Sequence, residues 1–306
     1  MPARGRVWGL VFATIAFGLF AFGLLGLVAL ALAALLLAAG LSESRERVIA
    51  VLVGGAGLTF ILASPAGAFA AALGAYSLMV AAAFAGGALL APAGLWRQAI
   101  RATLWGVVGT AALGRGLRGT RFWAELQWDV SHQASSAVRS VVERWPDSYP
   151  MYEPMVHFFG TAFPGLLALE TLAALTLAWQ WHQRLATAPL GAPAAPFRQF
   201  EFGDLWVWGL VAVLMVWAVP KLAALKGVAL NLGLVLGVLY CLRGAAIVVT
   251  FAASAGIPLW TLTAGTVVAL VLVVPLLLLI PGLWTLGVFD TWLAFRRRRG
   301  GQSTVR

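Results

Sequence analysis

The sequence predicts an all-α fold, a polytopic transmembrane helical bundle, and three observations carry that prediction. Hydrophobic residues make up 61% of the 306-residue chain and charged residues only 10%, against roughly 25% charged in soluble domains. Several apolar runs exceed the ~18–20 residues that cross a hydrocarbon core as a helix. The short alternating segments that mark a β-barrel do not occur.

The first block, residues 1–114, reads as transmembrane helices. Residues 7–41 carry no charge. As one helix they would reach about 52 Å, against a core of about 30 Å, so a hairpin near residues 23–26 is expected. The run is also too long for the core of a signal peptide, about 7–15 residues. SESRER (42–47) forms a polar turn, and 48–63 a short span that Ser64-Pro65 breaks. Residues 66–90 form an Ala- and Gly-rich span followed by Pro92. A basic connector, 94–101, leads into an apolar re-entry at 102–113.

The second block, 115–150, has a different pattern. From Trp123 the apolar residues recur at Leu126, Val130, Ala134, Ala137, Val141 and Trp145. Steps of three and four define one helix face. The polar face mixes Glu125, Asp129, Arg139 and Glu143, so an amphipathic surface helix is expected between two halves.

The third block, 151–295, returns to transmembrane helices. Residues 155–181 form a long span, in which Pro164 removes the bond to the Gly160 carbonyl and is expected to kink the helix. Residues 182–204 form a polar connector containing APLGAPAAP. A short span, 205–219, stops at Pro220, with Lys221 and Lys226 at the turn. Spans follow at 228–256 and 260–280. The segment 281–299 then carries Trp284 and Trp292 as interface anchors ahead of four arginines. The basic tail, 296–306, and the pair Arg4 and Arg6 place both ends in the cytoplasm. The spans number nine, whereas two cytoplasmic ends require an even number. About eight crossings, in the range 7–9, are therefore expected.

Composition also excludes function classes. The net charge of +10 is spread over loops and tail, as the positive-inside rule expects, so no nucleic-acid partner is inferred. All but Lys221 and Lys226 of the 21 basic residues are Arg. With abundant Ala, Gly and Leu, this suggests a GC-rich bacterial genome, and the membrane is expected to be the bacterial cytoplasmic (inner) membrane. Cys241 is the single cysteine, which rules out an intramolecular disulfide or a thiolate cluster. His132, His157 and His182 show no HExxH-type spacing. No Ser/His/Asp set, nucleophile elbow, phosphate loop or dinucleotide fingerprint is present. Hence no catalytic residue, metal or cofactor is expected, and the chain does not read as an enzyme.

Two charges fall deep within long spans, Glu170 in 155–181 and Arg243 in 228–256. A lone charge at that depth costs from about 2.5 to above 10 kcal/mol, so such residues face the bundle interior and pair. A Glu170–Arg243 ion pair is the economical expectation, lining a polar site or tying two helices together. Phe163 and Trp181 share the Glu170 side of their helix and would wall such a site. Asn231 is a candidate ligand contact, interhelical hydrogen bonder or terminus cap. Gly233, Gly237 and Gly244, with Cys241, form a small-residue stripe suited to close helix packing. Asp290 is expected to pair with Arg296 or Arg297.

The C-terminal half resembles the YybS-like family of bacterial integral membrane proteins, a family of unknown function. FRQFEFGDLWVW (197–208), Asn231 in its apolar run, LYCLRGAAIV (239–248) and LGVFDTWLAFRRR (286–298) carry the resemblance. It covers about the last 110 residues well. The family is distantly similar to the substrate-binding subunits of energy-coupling-factor transporters. That similarity implies a central ligand cavity, a small-solute-binding or transport role, and a membrane protein partner besides the lipid bilayer. The family pattern more often has glutamine at the Arg243 position, which stresses a polar side chain there over its charge. The alternative reading is a scaffold or assembly factor acting through the surface helix or the basic tail.

Overall fold

The computed structural model describes residues 24–40, 44–63, 67–90, 94–144, 149–200, 202–272 and 274–293. Ten α-helices and three short 3-10 turns, with no strand, make up these described residues. The helices are α1 (Leu24–Gly40), α2 (Ser44–Ala63), α3 (Ala68–Leu90), α4 (Leu95–Arg118), α5 (Phe122–Arg144), α6 (Tyr149–Leu185), α7 (Val207–Ala218), α8 (Lys226–Ser254), α9 (Leu259–Leu272) and α10 (Val274–Leu293). The all-helical class follows from apolar runs that satisfy every backbone group within the segment.

The chain divides into two compact units. The first holds residues 1–163 and 167–194, the second 164–166 and 195–306. In the first unit, α3 packs against α1, α2, α4 and α5. Its buried face is built largely of Ala and Gly, with Tyr76, Val80 and Phe84 filling the space between helices. Small residues let backbones approach closely, the usual basis of helix contact where the surroundings are as apolar as the side chains. Gly106 shows the need: a Cβ there would strike Val80 and Tyr76. Two buried polar side chains of this unit bond across helices. Gln98 Nε2 donates to the Phe84 carbonyl at 2.6 Å, and the Tyr76 and Thr171 hydroxyls share a hydrogen bond of 2.8 Å.

A tight turn joins α4 to α5. Gly119 has φ +81° and its amide donates to the Arg115 carbonyl at 3.0 Å, a positive-φ helix end that glycine adopts without a Cβ penalty. The expected amphipathic helix is present as α5, and it docks onto the first unit. Phe122 is buried against Gly114, and Val130 is buried two turns later. Asp129 Oδ2 accepts the Phe69 amide at 2.9 Å. A side chain of α5 thus caps the N-terminus of α3 and satisfies one of its orphan donors.

In the second unit α8 and α10 form the central pair, with α7 and α9 against them. Gly244 meets the Leu283 backbone and Gly287 meets the Tyr240 backbone so closely that a Cβ at either glycine would collide with the facing carbonyl. Two small residues, one on each helix, thus set the α8–α10 spacing.

The number of crossings differs from expectation. Three described helices are long and apolar enough to cross a membrane: residues 68–90, 156–185 and 220–254. The expected figure was about eight. Apolar runs were counted at full length, whereas a break shortens the helix it ends. Helix α7 has 12 residues, and at ~1.5 Å per residue it falls short of a core of about 30 Å. Pro220 ends α7. The apolar stretch 102–113 belongs to α4, which also carries Arg97, Arg101, Arg115 and Arg118. Pro281, by contrast, lies inside α10 and does not end it. Most of the proposed hairpin in 7–41 lies outside the described residues.

Candidate functional site

Arg243 stands on α8, its side chain buried. Its guanidinium makes a fork of contacts. Nε donates to Asp290 Oδ2 at 3.0 Å. Nη1 donates to Asp204 Oδ1 at 2.9 Å and to the Phe202 carbonyl at 2.9 Å, with Thr291 Oγ1 at 3.5 Å. Arginine suits this role because its donors are fixed in one plane and it stays charged. The glycine contacts between α8 and α10 bring Asp290, in the last turn of α10, within reach. Asp204 arrives from a different direction, on the 3-10 turn Asp204–Trp206 that leads into α7. At that helix start its negative charge also faces the positive end of the backbone dipole.

Aromatic rings hold the turn in place. Phe202 is buried, packs edge-on to Tyr240 with ring centres 5.3 Å apart, and stacks on Trp206 at 5.8 Å. Tyr240 lies one turn before Arg243 on α8, so the ring contacts and the ion pairs locate the same loop.

The arginine thus takes Asp290 and Asp204 where Glu170 was expected. Depth matching along two helices pointed to Glu170. It took no account of the arginine's long side chain, which reaches groups near the ends of neighbouring elements. The expected partners of Asp290, Arg296 and Arg297, lie outside the described residues. The missed members of the cluster are Asp204, Thr291 and the Phe202 carbonyl. One signal pointed to Asp290: an acidic residue within an apolar run needs a cation. Asp204 gave no such signal, because it sits in a polar connector.

The other candidate residues lie elsewhere. Glu170 is half-buried on α6 in the first unit, next to Thr171 and within electrostatic range of the Tyr76 phenol. Phe163 is half-buried with its ring 5.3 Å from Phe69. Trp181 is 51% exposed. Asn231, on α8, accepts the Gly165 amide with Oδ1 at 2.6 Å and donates through Nδ2 to the Gly227 carbonyl at 2.8 Å. Gly165 follows Pro164, and the proline disturbs the helix ladder at that point. Of the glycine stripe, Gly244 touches α10, Gly233 faces Val213 of α7, and Gly237 faces open space.

Two carboxylates thus meet one guanidinium. The carboxylates differ in access: Asp290 is buried, whereas the Asp204 side chain is 54% exposed. One side of a buried arginine is therefore closed by a permanent anchor and the other by a group that meets solvent. Three of the stretches that carried the sequence resemblance, 197–208, 239–248 and 286–298, supply all of these groups.

Among the described residues the fold is all-helical, with three helices long and apolar enough to cross a membrane, and the second unit holds a buried arginine between two aspartates. Compared with protein-family models, characterised proteins and solved structures, the chain matches none.

Proposed function

We propose that the chain is a multi-pass bacterial cytoplasmic-membrane protein, with a cytoplasmic C-terminus, that binds a small anionic solute at Arg243 as a solute-binding or transport component. One observation carries the reading: the solvent-reaching carboxylate of Asp204 on a buried arginine. In it Asp204 occupies the position of the solute, and a carboxylate or phosphate competes with it for Nη1. Asp290 keeps the guanidinium oriented and neutralised throughout. Charge-assisted hydrogen bonds of this kind are the strong ones, and arginine is well matched to oxyanions. The resemblance to the YybS-like family supports the transport-component setting.

The test uses the full chain in detergent, with inorganic phosphate and a panel of small carboxylates titrated by calorimetry. Asp204→Asn removes the competing charge and is expected to tighten anion binding. Arg243→Gln is expected to abolish it. An Asp204→Asn protein that binds anions no better than the parent, while remaining folded, sinks the proposal and leaves the cluster as a helix clamp.

A second reading, a scaffold recruiting a protein partner through α5, draws on the exposed Trp123 of that helix. Deleting α5 is a poor test of it, since Asp129 caps α3. Trp123→Ala, scored by partner recovery, is the cleaner one: unchanged recovery of the same partners counts against it.

A further inference from the structure

The first unit contains a crevice of about 690 Å³ beside the α4–α5 turn. Ala68 at the start of α3, Arg118 at the end of α4, and Arg121, Glu125, Trp128 and Asp129 around the start of α5 line it. Asp129 is already engaged as the α3 cap. Arg121 and Glu125 are exposed. Trp128 is 65% exposed. The crevice thus presents one cationic side, one anionic side and an aromatic face.

Its level along the helices gives these groups a meaning. Ala68 is the first residue of a 23-residue helix long and apolar enough to cross a membrane, so the crevice lies where that span begins. Tryptophan and arginine are the residues that hold the headgroup layer at such a boundary. A guanidinium pairs with phosphate oxygens. A carboxylate beside an indole accepts an ammonium through both charge and ring quadrupole. A purely anionic headgroup would leave Glu125 facing like charge.

We propose that this crevice binds the headgroup of a phospholipid carrying both a phosphodiester and a primary ammonium, with the phosphate on Arg121 beside Arg118 and the ammonium between Glu125 and Trp128. The proposal rests on the membrane reading above but is independent of the anion site at Arg243.

The full chain in detergent is titrated with short-chain phosphatidylethanolamine, phosphatidylcholine and phosphatidylglycerol, and lipid retention is read by native mass spectrometry. Phosphatidylethanolamine is expected to be retained over the other two. Arg121→Gln and Glu125→Gln should each reduce that retention about tenfold, the scale of one lost charge-assisted hydrogen bond. Glu125→Gln should also narrow the gap to phosphatidylglycerol. Equal retention of all three lipids, or unchanged retention in both variants, overturns the proposal. Displacement of the lipid by inorganic phosphate alone overturns the lipid as the source of the phosphate. Should either variant lose its helical signal, Trp128→Leu supplies the same readout from an exposed position. Anion titration at Arg243, repeated on Arg121→Gln, separates the two proposals: this variant should leave anion binding intact whether or not the lipid site exists.

Discussion

Arg243 Nε donates to Asp290 Oδ2 at 3.0 Å, and both side chains are buried. Removing one partner of a buried pair leaves a charge without compensation, at a cost of about 3–5 kcal/mol. Asp290→Ala should therefore lower the thermal unfolding midpoint of the detergent-purified chain sharply. Asp204→Asn should be mild, because that carboxylate is mostly exposed and exposed pairs contribute about 0–1 kcal/mol. A loss at Asp204 equal to that at Asp290 would count against the division into anchor and exposed partner.

At Arg243 itself the replacement decides the size of the effect. Glutamine keeps donors for the Phe202 carbonyl and one aspartate, whereas leucine supplies none, and a buried unsatisfied group costs about 1–3 kcal/mol. Arg243→Gln is thus expected to fold with a smaller loss than Arg243→Leu. Equal losses, measured by unfolding midpoint, would show that the charge rather than the hydrogen bonding holds the cluster.

The α8 glycines should separate cleanly. A Cβ at Gly244 collides with the Leu283 carbonyl, while at Gly237 it meets nothing within 4 Å. Overpacking costs about 1–3 kcal/mol. Replacing an open helical glycine by alanine gains up to about 1 kcal/mol. Gly244→Ala should destabilise and Gly237→Ala should be neutral or stabilising, with the unfolding midpoint as the readout. The same sign at both positions would refute the assignment of Gly244 as the contact.

These positions also show what was legible before the structure. The α5 helix could be read residue by residue because it borders two environments, so Leu126 and Val130 alternate with polar neighbours. Helices α3, α6 and α8 are apolar around most of their circumference, so the pattern finds them without saying which faces meet. Gly233, Gly237 and Gly244 lie on one stripe, yet only the packed chain distinguishes the residue against α10 from the one facing open space. Among the described residues, three helices are long and apolar enough to cross a membrane, fewer than the apolar runs counted, for a related reason. Hydropathy measures how far an apolar run extends, whereas Pro220 ends its helix and Pro281 does not. Arg243 stood out as a site residue through its charge alone. Its partner Asp204 did not, because a polar residue in a polar connector carries no sign that the loop folds back onto α8.

The Asp129 cap couples the surface helix to α3. Losing an N-cap costs about 0.5–2 kcal/mol. Asp129→Ala is expected to lower the unfolding midpoint and to speed amide exchange at Phe69, whose N–H it holds at 2.9 Å. Asp129→Asn retains an acceptor oxygen and should restore most of both. Unchanged exchange at Phe69 in Asp129→Ala would remove the cap from the account.

Asn231 offers the last test, because two of its hydrogen bonds point in different directions. Oδ1 accepts the Gly165 amide at 2.6 Å and Nδ2 donates to the Gly227 carbonyl of its own helix at 2.8 Å. The Gly227 contact alone would make Asn231 a local helix feature. The Gly165 contact makes it a tie to the turn after Pro164. Asn231→Asp keeps the acceptor and loses the donor, whereas Asn231→Leu loses both. Interhelical hydrogen bonds between apolar helices contribute about 0.6–2 kcal/mol. Asn231→Leu should therefore cost about that much and expose the Gly165 amide to exchange, while Asn231→Asp should keep Gly165 protected. Gly165→Ala provides an independent check, since a Cβ there would press on the Asn231 backbone at 3.0 Å. A destabilised Asn231→Leu with Gly165 still protected would place the role of Asn231 within α8 rather than between helices.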